Sequence, residues 1–434
     1  MIKTSSKIFY ALLNFSGAAA AMPIVVYILP YFANNLGLGL TTVGLIFVFG
    51  RVLDIFTDPI MGTLIDRYPS RWGKHKHWIA LSLPVLMIST VLLYLPVNPD
   101  PSGWYLFLSL FLLYTGFTLS SISQLSWSTF LAPSYDDKTN LLTLREAVNV
   151  FFSLFVLAIP AFVEIYYGSP IETKILAIGI FVIVLLPIIV ITALIKVPDS
   201  SDSYVDVAHP FSVFKSFLFN TNLKILIATG FLVVVAQGSA GALALFTIDY
   251  VLGLPEYSAR MILLFFASAI VGIEFWRRLA LRLNKHRAVY YCCIYLFIVS
   301  FLAYLGWEFY FFDNREFILL GSCISLFMIG AGYAGVTPLI IAMVADLAKQ
   351  DKEHNNIDNS GSMYSFLTSF FKFGSALSAA IPYVVLGLFS SFDPSLGADN
   401  TPESLTFLWL LYIFIPITCY ALAALLIKRY KYLK

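Results

Sequence analysis

Residues 175–195 read ILAIGIFVIVLLPIIVITALI, a stretch of apolar and small residues that contains no charged side chain. A helix needs about 20 such residues to cross the hydrocarbon core of a bilayer. The stretch therefore predicts a transmembrane helix, and short polar segments separate it from others of the same kind. The twelve predicted spans cover residues 8–32, 42–65, 78–95, 104–131, 147–167, 175–195, 225–251, 259–279, 289–307, 317–347, 362–388 and 405–427.

The composition supports a membrane protein. Of 434 residues, 59% are hydrophobic and 12% are charged, and the mean hydropathy is +0.83. A soluble chain of this length needs more polar surface. The net charge of +2 indicates no nucleic-acid partner. The four cysteines all fall within predicted spans, without the spacing of a metal site or a disulfide framework.

The positive residues are distributed unevenly along the chain. Lysine and arginine follow the second and eighth predicted spans and close the C-terminus, whereas segments 34–40, 98–104 and 390–404 contain neither. Segments rich in lysine and arginine stay in the cytoplasm. We therefore expect both termini to be cytoplasmic, in a protein of the bacterial inner membrane.

The hydrophobic pattern has one long interruption, which divides the predicted spans six and six. We expect a six-helix bundle over residues 1–196, a cytoplasmic linker with a short amphipathic helix over 197–222, and a second six-helix bundle over 223–434. Basic loops at 67–77 and 277–287 occupy the same position in each half, as two parallel repeats would place them. Transporters of this kind bind solute near the membrane midplane and open alternately to the two sides of the membrane. We expect a monomer.

Charged residues inside spans are costly and mark functional sites. Arg51, Asp54 and Asp58 in the second span are spaced i, i+3 and i+7, so they share a helical face, with Thr57 beside them. Carboxylate and hydroxyl oxygens are ligands for hard cations. The spacing predicts a site for Na⁺ or H⁺, with Asp54 and Asp58 as the metal ligands if the ion is Na⁺. The alternative is an ion-pair ladder that joins helices.

Three further charged residues are candidates for the transport pathway. Lys372, in SFFKFGSAL, has no acidic residue within a helical turn. It is expected to pair with Asp54 or Asp58 and to compete with the bound cation, or else to form a structural salt bridge. Arg145 either reaches the cavity or pairs with Glu146. Asp346, with Lys349, is interpreted as a gate or a helix-end pair.

Four stretches of the sequence resemble one known family. They are RVLDIFTDPIMGTLIDRYPSRWGKHKHW at 51–78, SWSTFLAP at 126–133, MVADLAKQD at 343–351 and TSFFKFGSA at 368–376. Together they are similar to the glycoside–pentoside–hexuronide:cation symporters, the melibiose-permease type within the major facilitator superfamily. The resemblance implies a twelve-helix major facilitator fold and cation-coupled symport of a sugar or glycoside, with no cofactor except the coupling ion.

The resemblance also implies roles for individual residues. Asp54 and Asp58 match the family's cation-binding carboxylates, and Ser120 falls where a hydroxyl completes that site. Lys372, Arg145 and Trp127 match residues that the family uses for solute binding or coupling. Thr368, Arg51 and Ser123 are further candidates for that role.

The sequence departs from the family at the sugar-binding carboxylates. Ala18 and Ser123 stand where melibiose-type permeases carry aspartates, so the charge-assisted clamp on neighbouring sugar hydroxyls is missing. An anionic hexuronide is one compatible solute. The small apolar run at 17–21 suits a lipid-like or amphipathic solute as the alternative. An enzyme and a sensor without flux are less favoured, because no nucleophile–base set is evident and the cation site is intact.

Overall fold

The computed structural model describes residues 4–20, 23–68, 70–96, 100–132, 135–168, 170–199, 220–310, 315–355 and 360–430. Within these ranges the chain is helical and contains no β-strand. It divides into two compact units, Met1–Val205 and Asp206–Lys434. The linker predicted over 197–222 and its amphipathic helix fall mostly in residues 200–219, which lie outside the described ranges.

The first unit carries six helical segments of membrane-spanning length, one of which is interrupted. Its α-helices are α1 (Thr4–Leu12), α2 (Phe15–Ala20), α3 (Leu29–Asn34), α4 (Leu40–Arg67), α5 (Lys76–Tyr94), α6 (Gly103–Leu131), α7 (Tyr135–Tyr167) and α8 (Ile171–Lys196).

The first span is broken by its own sequence. A turn at residues 13–14 separates α1 from α2, and a π-helical segment, Ile24–Ile28, precedes α3. Pro23 caps that π-helical segment and Pro30 lies in the first turn of α3. Proline lacks a backbone N–H and clashes with the preceding turn of a helix, and π-helical insertions are frequent at functional sites. The break places the Asn14 side chain beside α7.

The second unit likewise contains six long helices. They are α9 (Thr221–Phe246), α10 (Ser258–Leu283), α11 (Lys285–Tyr310), α12 (Arg315–Asn355), α13 (Ser360–Phe389) and α14 (Pro402–Ile427). Short π or 3₁₀ segments follow α9, precede α10 and precede α14.

Each of the twelve predicted spans falls on one of these helical segments. Eleven of the described segments are long and apolar enough to cross a membrane. The segment outside that set is α4, which is 28 residues long and contains Arg51, Asp54 and Asp58 in its middle turns. This helix carries the predicted cation site.

The outer surface of α8 is that of a lipid-facing helix. Five branched apolar side chains spaced three or four residues apart are exposed along it: Ile180, Val184, Ile188, Ile191 and Ile195. Gly179, Val182 and Leu186 on the opposite face are buried. A stripe of this length would be unfavourable against water but matches the hydrocarbon of a bilayer. The chain is an integral membrane protein.

In the second unit, α10 and α12 approach closely through glycine. A Cβ atom added to Gly272 would lie 1.8 Å from the carbonyl oxygen of Ala331, and one added to Gly330 would lie 2.1 Å from that of Phe265. Small residues let the backbones of membrane helices come into contact. The closeness of α10 to α12 therefore requires these two glycines.

Candidate functional site

The two carboxylates predicted to bind a cation meet one hydroxyl from another helix. Helix α4 packs against α6, and Thr118 Oγ1 of α6 lies 3.0 Å from Asp54 Oδ1 and 2.9 Å from Asp58 Oδ1. Asp54 is 2% exposed and Thr118 is 1% exposed. The spacing of the two aspartates on α4 thus brings both carboxylates to a single oxygen in the interior of the first unit.

Arg51 closes one side of this cluster. Its Nη1 atom lies 3.5 Å from Asp54 Oδ2, one turn along α4. Its guanidinium carbon lies 4.1 Å from the centre of the Tyr114 ring, within the range of a cation–π contact. Tyr114 and Thr118 are four residues apart on α6 and so present the same face to α4. A Cβ atom at Gly50 would lie 3.3 Å from the Tyr114 ring.

The oxygen atoms of the cluster are of the kind that bind a hard cation. A threonine hydroxyl has one hydrogen to donate, and ionised carboxylates only accept. Thr118 can therefore donate to one of its two carboxylate partners but not to both. Arg51 lies beside Asp54, and a proton or Na⁺ between the oxygens would reduce the repulsion between the two ionised carboxylates.

The other residues assigned to the cation site lie near it with different contacts. The Thr57 hydroxyl donates to the backbone carbonyl of Asp54 at 3.2 Å. Ser120 is buried on α6, but the hydroxyl that bridges the carboxylates is that of Thr118, half a helical turn away. The structure brings Asp54, Asp58 and Arg51 together. The hydroxyl beside both carboxylates is that of Thr118, whereas the resemblance assigned that of Ser120.

Arg145 is held in a polar cluster formed by α1, α6 and α7. Its Nε donates to Gln124 Oε1 at 3.0 Å, and its Nη1 donates to the carboxylate of the neighbouring Glu146. The backbone carbonyl of Gln124 accepts from the Tyr10 hydroxyl, and the Gln124 amide donates to the Tyr10 carbonyl, both at 2.7 Å. Of the two alternatives for Arg145, the structure shows the ion pair with Glu146.

The positions of the missing sugar-binding aspartates lie in the interior of the first unit. Ala18 on α2 and Ser123 on α6 are both buried. The Ser123 hydroxyl oxygen is buried without a hydrogen-bond partner in the described part of the chain, as is the side-chain oxygen of Asn149 on α7. Buried polar atoms of native proteins normally have partners, so these two atoms are candidate ligand contacts.

Trp127 lies at the other end of α6 from the carboxylate cluster. It is fully buried, and its indole N–H donates to the carbonyl of Pro198 at 3.0 Å. Its ring stacks on that of His75, whose Nδ1 lies 3.0 Å from Asp199 Oδ1 and whose Nε2 lies 3.1 Å from the Ser126 hydroxyl. Trp127 therefore contacts the segments before α5 and after α8, and its ring also packs edge-on against that of Tyr10 of α1.

Asp199 joins these segments through its carboxylate. Oδ2 accepts from the backbone N–H groups of His75, at 2.8 Å, and Lys76, at 3.1 Å, at the start of α5. Burial alone would raise the pKa of Asp199, but these N–H groups and the His75 ring together hold the pKa below its ordinary value. Gly73 makes room for this carboxylate, since a Cβ atom there would clash with it.

The candidates of the second unit lie on α12 and α13. Lys372 and Thr368 are four residues apart on α13, where Lys372 is partly buried and Thr368 is exposed. Asp346 on α12 pairs with Lys285 of α11 at 2.6 Å, while the side chain of Lys349 lies outside the described residues. The predicted pairing of Lys372 with Asp54 or Asp58 stays a prediction.

Sequence reasoning missed Thr118, Gln124, Asn149 and the contact between His75 and Asp199. Thr118 carries a weak signal, because it is one of many hydroxyl residues in α6 and only its spacing of four residues from Tyr114 sets it apart. Helical spacing shows which residues share a face but not which neighbouring helix that face meets. His75 and Asp199 lie far apart in the chain, and no periodicity relates them.

The twelve helices and the buried charged cluster define a secondary transporter of the major facilitator type. The chain belongs to the family of MFS/sugar transport proteins, whose model matches residues 9–434. The predictions of a sugar symporter family, of the major facilitator fold and of a transporter rather than an enzyme are confirmed.

Curated relatives support this assignment over nearly the whole chain. The isoprimeverose transporter of Lactiplantibacillus pentosus is 21% identical over 99% of this chain and 89% of its own. The inner membrane symporter YicJ of Escherichia coli is 20% identical over 94% of this chain and 87% of its own. The putative glycoside/cation symporter YagG of the same organism is 22% identical over 93% and 87%.

Solved structures show the same fold. A mutant form of the nucleoside transporter NupG matches 97% of this chain and 99% of its own, with a TM-score of 0.71 at 12% sequence identity. At that identity the likeness concerns the fold alone.

Proposed function

We propose that the protein is a cation-coupled symporter of a sugar or glycoside, with the cation bound by Asp54, Asp58 and Thr118. The observation that carries the proposal is the single hydroxyl, Thr118 Oγ1, that lies within hydrogen-bond distance of two carboxylates on one face of α4. Hydroxyl and carboxylate oxygens that converge in this way are ligands for a hard cation, which favours a bound cation over the ion-pair ladder.

The names of the relatives support a sugar or glycoside as the solute. Proteins similar to this one along most of its length are named as transporters of isoprimeverose or as symporters of glycosides and cations. The lipid-like solute that the apolar run at 17–21 suggested is not favoured by these names. We place the protein in the bacterial inner membrane with both termini in the cytoplasm, on the distribution of lysine and arginine and on the name of one relative.

Coupling would pass through α6. One face of that helix presents Tyr114 and Thr118 to the carboxylates of α4, and the face around Gln124 holds Tyr10 and Arg145. A cation between Asp54, Asp58 and Thr118 would fix α6 relative to α4. Because α6 also holds the α1–α7 polar cluster, cation binding and solute binding would favour each other through the same helix, as reciprocal linkage requires.

A thermal-shift experiment tests the proposal directly, since ligands that bind the native state stabilise it. The purified protein is heated with and without Na⁺, at several pH values, in the presence of neutral glycosides. We expect a sugar-dependent rise in the melting temperature that grows with Na⁺ or with falling pH. In Asp58→Asn the dependence on the cation should vanish while the folded protein remains.

The matched control is Asp399→Asn, which makes the same change at an exposed position of the second unit. It should behave as the wild type. An Asp58→Asn protein that keeps the full cation response would overturn the proposed site.

A further inference from the structure

Two amide side chains converge beside Gly17 on the interrupted first span. A Cβ atom built on Gly17 would lie 3.5 Å from Asn14 Oδ1 and 3.6 Å from Asn149 Oδ1, with the Phe117 ring at 3.2 Å. The three helices that meet here are α2, α6 and α7. The two oxygens therefore face the same small space, and a residue larger than glycine would intrude on it.

The orientation of Asn14 is set by its surroundings. It lies in the turn between α1 and α2 and is 4% exposed. Its Nδ2 donates to the backbone carbonyl of Arg145 at 3.3 Å, which fixes which end of the amide is nitrogen and directs the oxygen away from that carbonyl. The break in the first span thus brings an acceptor against α7.

The oxygen of Asn149 is a buried acceptor in need of a donor. It has no hydrogen-bond partner within the described part of the chain. A buried polar atom without a partner is costly, and native proteins offset the cost with water or a ligand. A ligand that satisfies it must bring an O–H or N–H group.

The charge of the neighbourhood argues against an anionic ligand. Acceptor oxygens repel a carboxylate, and the guanidinium of Arg145 already donates to Glu146 and Gln124. Part of that positive charge is therefore already compensated, whereas a hydroxyl of a neutral sugar can donate to the two acceptor oxygens.

We propose that Asn14 and Asn149 form a hydroxyl-binding subsite that selects neutral glycosides over hexuronides. The proposal rests on the proposed function and deepens it by naming the solute class. In this chain, the neutral amides would accept hydrogen bonds from sugar hydroxyls in place of the carboxylates that are absent at Ala18 and Ser123.

The subsite and the cation site lie on adjacent faces of α6. Phe117, whose ring would lie 3.2 Å from a Cβ atom at Gly17, and Thr118, whose hydroxyl contacts the carboxylates, are consecutive residues of that helix. Phe117 and Gln124 are seven residues apart and share the face toward the first span. A shift of α6 on cation binding would therefore be felt directly at the amide pair.

The experiment measures binding of two probes that differ in one group, methyl β-glucoside and methyl β-glucuronide, with isoprimeverose and methyl β-xyloside as further neutral sugars. Thermal shift and uptake are recorded for the wild type, for Asn149→Leu and for Asn140→Leu. The last makes the same change at an exposed position of the same helix. The response to cation without sugar shows that each variant is folded.

We expect the wild type to respond to at least one neutral sugar and not to the glucuronide. Asn149→Leu should weaken that response about tenfold, since a lost hydrogen bond leaves a buried hydroxyl without a partner, while Asn140→Leu should match the wild type.

A wild type that takes the glucuronide and no neutral sugar overturns the subsite but keeps the symporter. So does an Asn149→Leu variant that binds neutral sugars normally. A wild type that responds to no sugar of either class overturns the proposed function and the subsite with it.

Discussion

Among single residues, Thr118 is central to the proposed cation site, because its one hydroxyl lies within hydrogen-bond distance of two carboxylates. It is not conspicuous in the sequence, because a threonine in a membrane helix commonly bonds to the carbonyl one turn before it. Its importance for the site comes only from its position beside Asp54 and Asp58. Position likewise determines the role of Asp199, an ordinary loop residue that caps α5 and holds His75.

Replacement of Thr118 by valine removes the hydroxyl and keeps the shape. A hydrogen bond to a charged group contributes about 1.5–3 kcal/mol, so we expect cation affinity to fall about tenfold or more. Thr118→Ser retains the hydroxyl and should restore most of the affinity. Cation titrations followed by thermal shift give both values, and equal affinities for the valine and serine variants would exclude Thr118 as a ligand.

Asp199 predicts a dependence of stability on pH. Because its pKa is lower in the folded protein than the value of about 3.9 in the unfolded chain, the ionised carboxylate stabilises the fold above that pH. The contribution is lost as pH falls through the folded pKa. Asp199→Asn should therefore lower the melting temperature at pH 7.

The difference between wild type and Asp199→Asn should shrink as the pH is taken below about 4. Asp399→Asn, at an exposed position, serves as the control. A difference that stays constant from pH 7 to pH 3 would show that the charge of Asp199 contributes nothing to folding.

At the scale of helices, hydropathy predicts the twelve spans because the bilayer demands apolar residues wherever a helix faces lipid. The spacing of Arg51, Asp54 and Asp58 likewise predicts that they share a face of α4. Two features lie beyond such reasoning. The break of the first span depends on the local backbone conformation at Asn14 and Pro23. The identity of the helix that packs against the charged face of α4 depends on how the helices pack in three dimensions.

The contact between α10 and α12 gives a prediction at this scale. Gly272→Ala places a methyl group against the carbonyl of Ala331, and overpacking of this kind costs about 1–3 kcal/mol. Gly62→Ala is a matched change inside α4, where no described atom lies within 4 Å of the added Cβ. Thermal unfolding should show a loss for Gly272→Ala and none for Gly62→Ala, and equal effects would contradict the close packing.

For the whole molecule, the sequence predicts that the ammonium of Lys372 on α13 pairs with Asp54 or Asp58 and competes with the bound cation. On that prediction, Lys372→Ala should remain folded and lose cation-driven accumulation. Lys224→Ala removes an exposed lysine from α9 of the same unit and should leave accumulation unchanged. Normal coupling in Lys372→Ala would reduce the lysine to a structural role.

The central claim is that a cation bound between Asp54, Asp58 and Thr118 drives the uptake of a sugar. The most direct test reconstitutes wild-type protein and Asp58→Asn in liposomes and imposes a Na⁺ gradient or a pH gradient in turn, with isoprimeverose as the probe sugar. The account predicts accumulation above equilibrium in the wild type with at least one of the gradients, and none in Asp58→Asn. Accumulation by Asp58→Asn at the wild-type level would contradict it.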